Sequence, residues 1–373
     1  MSAYPRFKAA AAHVAPVFLD RGATVAKACD VIREAARHGA GLVVFPEAYI
    51  PAFPVWAALW APIHNHAHFC KLAEEALVLP GPELARLCDE ARRNRIHVSI
   101  GINERSGASV GCLWNANLLI GEDGRVLNHH RKIVPTFYEK LIWANGDGAG
   151  LKVCDTPIGR IGALICGENT NPLARYCLMA QGEQVHLSTY PPVWPTRDPR
   201  GGGNYDLPGA IRIRAGAHSF EAKAFNIVAS GYMDGRIRAY LVDADPAVGP
   251  ILDETPRGVS LVTGPTGEQV SEMLREDEGI LYHDIDVNEC VEPKQFHDVV
   301  GHYNRFDIFE LKVNRTRQRP IAFEDHAIAE APAEAARADN GGERLKPVRH
   351  ERGAPVRGQG YANRRASKKK RLP

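Results

Sequence analysis

Apolar positions recur along this chain with two alternating periods. "FKAAAAHVAPVF" (7–18) reads as a first strand, and "TVAKACDVIREAARHGA" (24–40) spaces its apolar residues as a helix does, with Gly39 near its end. "GLVVFPEAYI" (41–50) follows as a short apolar strand that stops at Pro46 and Glu47. Helical spacing returns in "ELARLCDEARRNRI" (83–96) and leads to the strand "HVSIGINE" (97–104). "CLWNANLLIGEDGRVLNHHRK" (112–132) reads as a hairpin turning at Glu122, Asp123 and Gly124. In the second half, "GRIGALIC" (159–166) is a buried strand, "PLARYCLMAQG" (172–182) a helix opened by Pro172, and "EQVHLSTYP" (183–191) a strand. "AIRIRAGAHSFEAKAFN" (210–226) and "IVASGY" (227–232) repeat helix and strand, and "GVSLVTGPTGEQV" (258–270) and "GILYHDIDV" (279–287) read as late strands. Helices and strands alternate in both halves, while hairpin signals at Gly124 and Gly267 exclude a purely parallel sheet. The pattern predicts an α/β protein with mixed sheets.

Composition sharpens that picture at its C-terminal end. Beyond residue 313 the chain turns to Pro, Ala, Gly, Glu and Arg without periodic apolar residues. Residues 1–313 are therefore expected to form one globular domain, and residues 314–373 an extension that is disordered or orders on contact in an assembly. The net charge of +2 hides a split: Arg344 to Pro373 carries eleven Lys or Arg against the single acid Glu351, or +10, which leaves the first 343 residues at −8. No run reaches the roughly 18 apolar residues of a membrane helix, and no signal pattern opens the chain, so the expected location is cytoplasmic. The eight cysteines show neither a C-x-x-C pair nor a disulfide spacing. Any cysteine with chemistry has to be recognised by its surroundings.

Cys166 has such surroundings. It stands where an apolar strand ends, directly before "GENTN", and backbone N–H groups at such a turn are expected to favour its thiolate. Glu47 closes "LVVFP" ahead of the aromatic- and proline-rich "AYIPAFP", where desolvation would raise its pKa and suit it to proton transfer. Lys132 ends the second hairpin strand in "VLNHHRKIVPTFYEK", beside Arg131, where a cation can stabilise an anionic intermediate. Read singly, each has a plain alternative: a core thiol, a strand-end acid in an ion pair, a surface charge. Together they place a thiol, an acid and a cation at three strand-to-loop transitions, which an open α/β sheet can bring to one end.

"FPE" with Glu47, "HRK" with Lys132 and "ALICGENTNPLARYCLMAQG" with Cys166 resemble, in order and spacing, the three signatures of the nitrilase branch of the carbon-nitrogen hydrolases. "VPTFYEKLIWANGDGAGL" (134–151) and "GHYNRFDIF" (301–309) extend the resemblance over roughly residues 5 to 312. It implies a four-layer α-β-β-α sandwich with two mixed sheets, protomers that pair into a homodimer or a larger spiral homo-oligomer, and no cofactor or metal. It also implies that Glu47 is the proton acceptor, Lys132 stabilises the intermediate, Cys166 is the nucleophile and Glu139 is a supporting acid. The implied reaction converts an organic nitrile and water to a carboxylic acid and ammonia through a Cys166 thioimidate and thioester. On this reading Lys132→Ala is expected to stop the chemistry while the fold survives. Two departures stand out: Gly167 follows the nucleophile where many nitrilases carry Trp, which is expected to widen or reshape the pocket, and Phe306 stands where the family often has proline.

Tyr49, Phe53, Trp56, Tyr138, Trp143, Tyr190 and Trp194 lie near these motifs and either line an apolar pocket or fill the core. Tyr49, Gly167, Tyr190 and Trp194 are taken as substrate-binding, with arylaliphatic or aromatic nitriles as the class. His64, His66 and His68 in "HNHAH" would share a face only on a strand, and Pro62 before them with "FCKLAEEAL" after them favours a helix start over a metal site. Gly201 to Gly203 read as a surface loop. Competing functions are an amidase or carbamoylase, a cyanide hydratase, or a non-catalytic assembly or nucleic-acid-binding protein. The basic tail "NRRASKKKRLP" favours the last, but it has no interleaved aromatics.

Overall fold

The computed structural model describes residues 4–198, 201–319 and 321, which fall within one compact unit ending at Ile321. Among the described residues eleven strands form two sheets. The first contains β1 (Arg6–His13), β2 (Ala40–Val44), β3 (His97–Arg105), β4 (Leu113–Ile120), β5 (Val126–Arg131) and, at its other edge, β11 (Gly279–Asp286), in the order β11-β1-β2-β3-β4-β5. The second contains β6 (Cys154–Thr156), β7 (Gly159–Ile165), β8 (Val185–Tyr190), β9 (Phe225–Ser230) and β10 (Leu261–Thr263), in the order β10-β9-β8-β7-β6. In each sheet three central strands run parallel, β1-β2-β3 and β7-β8-β9, and antiparallel strands flank them.

The helices are α1 (Arg21–Arg37), α2 (Trp56–Leu59), α3 (His66–Glu75), α4 (Pro82–Asn94), α5 (Pro172–Met179), α6 (Leu207–Ala222), α7 (Gly235–Ala244), α8 (Gly249–Glu254) and α9 (Val291–Phe296). The two periods of the sequence assign the layers. Ala9, Ala11, Leu42 and Val44 point between the sheets and pack on Ala163, Leu187, Ile227 and Ala229, while their neighbours Ala10, Ala12, Val43 and Phe45 face α1 and α4 through Val25, Ile32, Leu87 and Ala91. On the far side α5 and α6 cover the second sheet with Ala174, Leu178, Ile211 and Ala215. This is the α-β-β-α sandwich the sequence implied.

The short elements β6, α7, α8 and α9 carry no sustained amphipathic run, and local caps define some of them. Asp234, for example, accepts the Arg236 and Ile237 N–H groups at 3.1 and 2.8 Å to open α7. The turn at Gly267 (φ +90°) makes isolated bridges, Thr263 with Gln269 and Ser260 with Leu274, instead of the full hairpin expected there. Beyond Val313 the chain runs on along the body: Gln318 N–H donates to Asp147 at 3.0 Å and Arg317 donates to the His129 carbonyl at 2.7 Å. The remainder of the expected extension, and the basic stretch within it, lie outside the described residues.

The feature that matters for chemistry is strand direction. Two antiparallel steps separate β5 from β3, so β5 runs the same way as β2, and both end on one side of their sheet. Glu47 and Lys132 leave those two ends, and Cys166 leaves β7 in the facing sheet.

Candidate active site

Each reactive side chain is carried by a tight exit from a strand. Ala48 (φ +48°), Phe137 (φ +52°) and Cys166 itself (φ +50°) occupy the left-handed region, which costs an L-residue about 1–3 kcal/mol and persists only where the surroundings enforce it. Glycine lets the backbones close in. A Cβ at Gly101 on β3 would lie 2.2 Å from the Pro46 carbonyl oxygen, so only glycine there allows the Glu47 turn to lie on the sheet. The Lys132 backbone is held in turn by its N–H to the Asn115 carbonyl (2.7 Å) and by its carbonyl from Gly146 N–H (2.8 Å).

The side chains converge in a closed space. Lys132 Nζ donates to Glu47 Oε1 at 2.7 Å and to Glu139 Oε2 at 2.6 Å, and none of the three side chains is exposed to solvent. Cys166 Sγ and one carboxylate oxygen from each glutamate all lie within 4.8 Å of one another. Asn115 Nδ2 donates to Glu47 Oε1 at 2.7 Å, while Glu47 Oε2 is buried without a partner. Glu139 is fixed by a capping arrangement with Thr136, whose N–H reaches Oε2 at 2.8 Å, and by Trp194 Nε1 on Oε1 at 3.2 Å.

Burial, followed by the opposing charge of Lys132, sets the Glu47 carboxyl at a pKa of about 7. Burial works against the Lys132 ammonium, but the Glu139 and Glu47 carboxylates outweigh it and hold it well above its ordinary range. The Cys166 thiol is pushed well above its ordinary range by burial and then by Glu47. Burial and the neighbouring carboxylates thus act against the thiolate that backbone N–H groups were expected to favour.

A second layer of buried polar groups joins the exits. Glu168 accepts Ile133 N–H (2.5 Å), Ile165 N–H (2.8 Å) and His130 Nε2 (2.9 Å), so it ties the end of the Lys132 strand to the Cys166 turn. Asn169 donates to the Cys166 carbonyl at 3.1 Å and accepts from His186 Nε2 at 2.8 Å. His186 Nδ1 and His218 Nε2 each lie 2.7 Å from Glu183, with the two rings stacked at 3.6 Å. The Glu183, His186 and His218 atoms are close enough together for a metal, yet hydrogen bonds already account for the arrangement. Sequence reading named none of Asn115, Thr136, Glu168, Asn169 or Glu183 as site residues. The signal for Asn115 was present, since Asn115 and Asn117 alternate as polar positions in an otherwise apolar strand.

Of the proposed pocket residues, Tyr190 packs in one cluster with Cys166, and Trp194 stacks on Tyr138 with ring centroids 5.6 Å apart. Tyr49 packs on Phe45, its hydroxyl 3.4 Å from the Ala15 carbonyl, and with Phe53 it lines a small apolar cavity that Glu47 also borders. Phe53, Trp56 and Trp143 are buried core residues, and Trp143 Nε1 donates to Asn103. Gly167 does not leave the void expected from a missing indole. A Cβ there would sit 2.7 Å from Thr136 Oγ1, so the loop that carries Glu139 fills the space. Gly167 instead borders a surface cleft with Val134, Phe137, Lys140 and Asn171. His64 and His66 are exposed while His68 packs between Trp56 and Trp60, so the three do not form a ligand set. Phe306 is exposed on the late loop.

The carbon-nitrogen hydrolase family model matches residues 8–295. A nitrilase of Paraburkholderia phymatum is 35% identical over 88% of this chain and 93% of its own length. An arylacetonitrilase of Aspergillus kawachii is 35% identical over 86% of this chain and 95% of its own. Among solved structures, a carbon-nitrogen hydrolase from Helicobacter pylori G27 shares the fold with a TM-score of 0.62 at 18% identity, covering 82% of this chain and 97% of that one.

Proposed function

The chain belongs to the carbon-nitrogen hydrolase family, and we propose that it works as a nitrilase, converting an organic nitrile and water to a carboxylic acid and ammonia. The observation that carries this reading is a buried ammonium, Lys132, bridging Glu47 and Glu139 with the Cys166 sulfur within 4.8 Å of both acids. Glu47, with a pKa near neutrality and a free Oε2 oxygen, is the group suited to take the thiol proton and return it. The Cys166 sulfur then adds to the nitrile carbon, and the proton passes to nitrogen to give a thioimidate. Water attacks with Glu47 as base, the tetrahedral centre is stabilised by the Lys132 charge, and ammonia leaves a thioester. A second water releases the acid and restores the thiol. Glu139 holds Lys132 in place.

Relatives named nitrilase and arylacetonitrilase support nitriles, arylaliphatic ones included, over amides as substrates. The test is ammonia release from a panel of nitriles set against their matching amides. Cys166→Ala is expected to abolish turnover, and mass spectrometry should find a substrate adduct only in protein that keeps Cys166. Turnover by Cys166→Ala, or release from amides alone, would sink the reading. We further propose self-association, supported by the exposed apolar residues Leu173, Tyr303, Ile308 and Phe309, and a reducing, cytoplasmic setting, supported by eight unpaired cysteines. Among the described residues no helix is long and apolar enough to cross a membrane.

A further inference from the structure

We propose that the site beside Cys166 contains an anion subsite built on Arg214 and Tyr190, and that the preferred substrates are nitriles carrying a carboxylate. The proposal rests on the nitrilase reading for its reaction, and on the following geometry for its specificity.

Arg214 lies on the face of α6 that turns toward the nucleophile, one residue before the buried Ala215, which packs with Cys166 and Tyr190 in one cluster. Its Nε donates to Thr170 Oγ1 at 2.7 Å and its Nη2 to the Tyr205 hydroxyl at 2.8 Å. Thr170 belongs to the same turn as Cys166, Cys166–Thr170. Among the described residues no carboxylate pairs with this guanidinium, whereas Arg131 meets Glu104 and Arg238 meets Asp253. A partly buried cation held only by neutral hydroxyls is an incomplete arrangement, because hydroxyls return little of the hydration energy that burial removes.

The second observation is independent of charge. Tyr190 is 0% exposed and its hydroxyl has no hydrogen-bond partner. An orphaned buried hydroxyl is a cost that a bound acceptor would remove. Tyr190 packs in one cluster with Cys166, and Tyr205, the partner of Arg214, packs against the same cluster. The Tyr205 hydroxyl, which accepts from Arg214, keeps its own proton to donate, and Trp194 meets the Tyr205 ring edge-on with centroids 5.1 Å apart. A carboxylate here would meet a guanidinium and two phenolic O–H donors. A neutral group would leave them unsatisfied. Lys132 lies between the two catalytic acids and limits their repulsion of an incoming anion.

The experiment measures nitrile consumption by the full-length enzyme on cyanopropanoate and cyanobutanoate and on the primary amides of both, which match them in shape and lack the charge. In the wild type, kcat/KM for at least one acid should exceed that for its amide by about tenfold or more. Arg214→Gln should lower this acid-to-amide ratio by at least about tenfold, chiefly through KM, and Arg214→Lys should restore part of it. An acid-to-amide ratio equal in wild type and Arg214→Gln overturns the subsite, since a structural role for Arg214 would slow both substrates alike. Should Arg214→Gln not fold, Tyr190→Phe, which removes the orphaned hydroxyl, must lower the same ratio; no change overturns the proposal. Alkylation of Cys166 separates this failure from that of the nitrilase reading. Iodoacetate and iodoacetamide both lose iodide to the sulfur, and the ratio of their rates should fall by about fivefold or more in Arg214→Gln. If no nitrile, charged or neutral, is consumed, the nitrilase reading fails and the alkylation ratio alone decides the subsite.

Discussion

Two buried acid clusters lie within a few residues of each other and behave in opposite ways. In the Glu183 cluster both carboxylate oxygens are bonded, to His186 and His218 at 2.7 Å. Burial would raise the Glu183 pKa, but the two imidazoles outweigh it and hold it at about 2. In the Glu47 cluster one oxygen is bonded twice and the other not at all, and burial wins, at about 7. Both clusters are dry, so burial alone does not make a reactive site. What separates scaffold from chemistry is whether the carboxylate's lone pairs are all used: a saturated acid stays ionised and holds structure, while an unsaturated one is poised to exchange a proton.

Swapping the acids is the sharpest way to break this comparison. Glu47→Gln should lower turnover by about a thousandfold or more while leaving the melting temperature near that of the wild type, because glutamine keeps the oxygen that Lys132 and Asn115 use. A large loss of stability would mean that Glu47 is scaffold as well. Lys132→Ala should cost about 3–5 kcal/mol of stability in addition to turnover, since it leaves two buried carboxylates facing each other. The fold is still expected to survive this loss, and chemical denaturation of the variant measures it. Glu183→Gln should destabilise by about 3 kcal/mol and keep measurable turnover in whatever fraction folds, the reverse of Glu47→Gln.

Acidity separates the clusters more gently. Glu183 titrates lower in the fold than in the unfolded chain, so its contribution is complete above its ordinary pKa of 4.5 and is lost as pH falls toward about 2. His218, held at about 4 first by burial and then by the charge of His186, resists protonation that the unfolded chain accepts, so it costs stability earlier, as pH falls from its ordinary 6.5 to about 4. Glu47 titrates higher in the fold, so it disfavours the native state as pH rises from 4.5 through 7. As a base it must be ionised, and kcat/KM should therefore fall as pH drops below about 7, a limb that Glu47→Gln should lack. The smallest effect is expected from Gly167→Ala, where contact with Thr136 Oγ1 should cost about 1 kcal/mol.

Strand-end groups were the legible part of this protein. Glu47 and Cys166 each follow a continuous apolar run, and Lys132 closes the second strand of a hairpin, so all three stand at strand ends that the sequence marks. Glu139 was placed by family resemblance; its capping bond to Thr136 is a local fact that spacing alone leaves open. The supporting acids were not legible. Glu183 and His218 are 35 residues apart, one just before β8 and the other within α6, and only the packing of α6 on the second sheet makes them neighbours. The contact of Gly167 with Thr136 likewise joins two loops from different sheets, so a glycine that suggested room in the sequence marks a place already filled.

The backbone of Cys166 carries one more consequence. With φ at +50°, the position would suit glycine better than any residue with a side chain. Judged by backbone strain alone, glycine is the one substitution at this position that would gain stability, and it would discard the thiol. The thiol is thus a residue that backbone geometry alone would not favour, and on the nitrilase reading it is kept for turnover at a cost in stability.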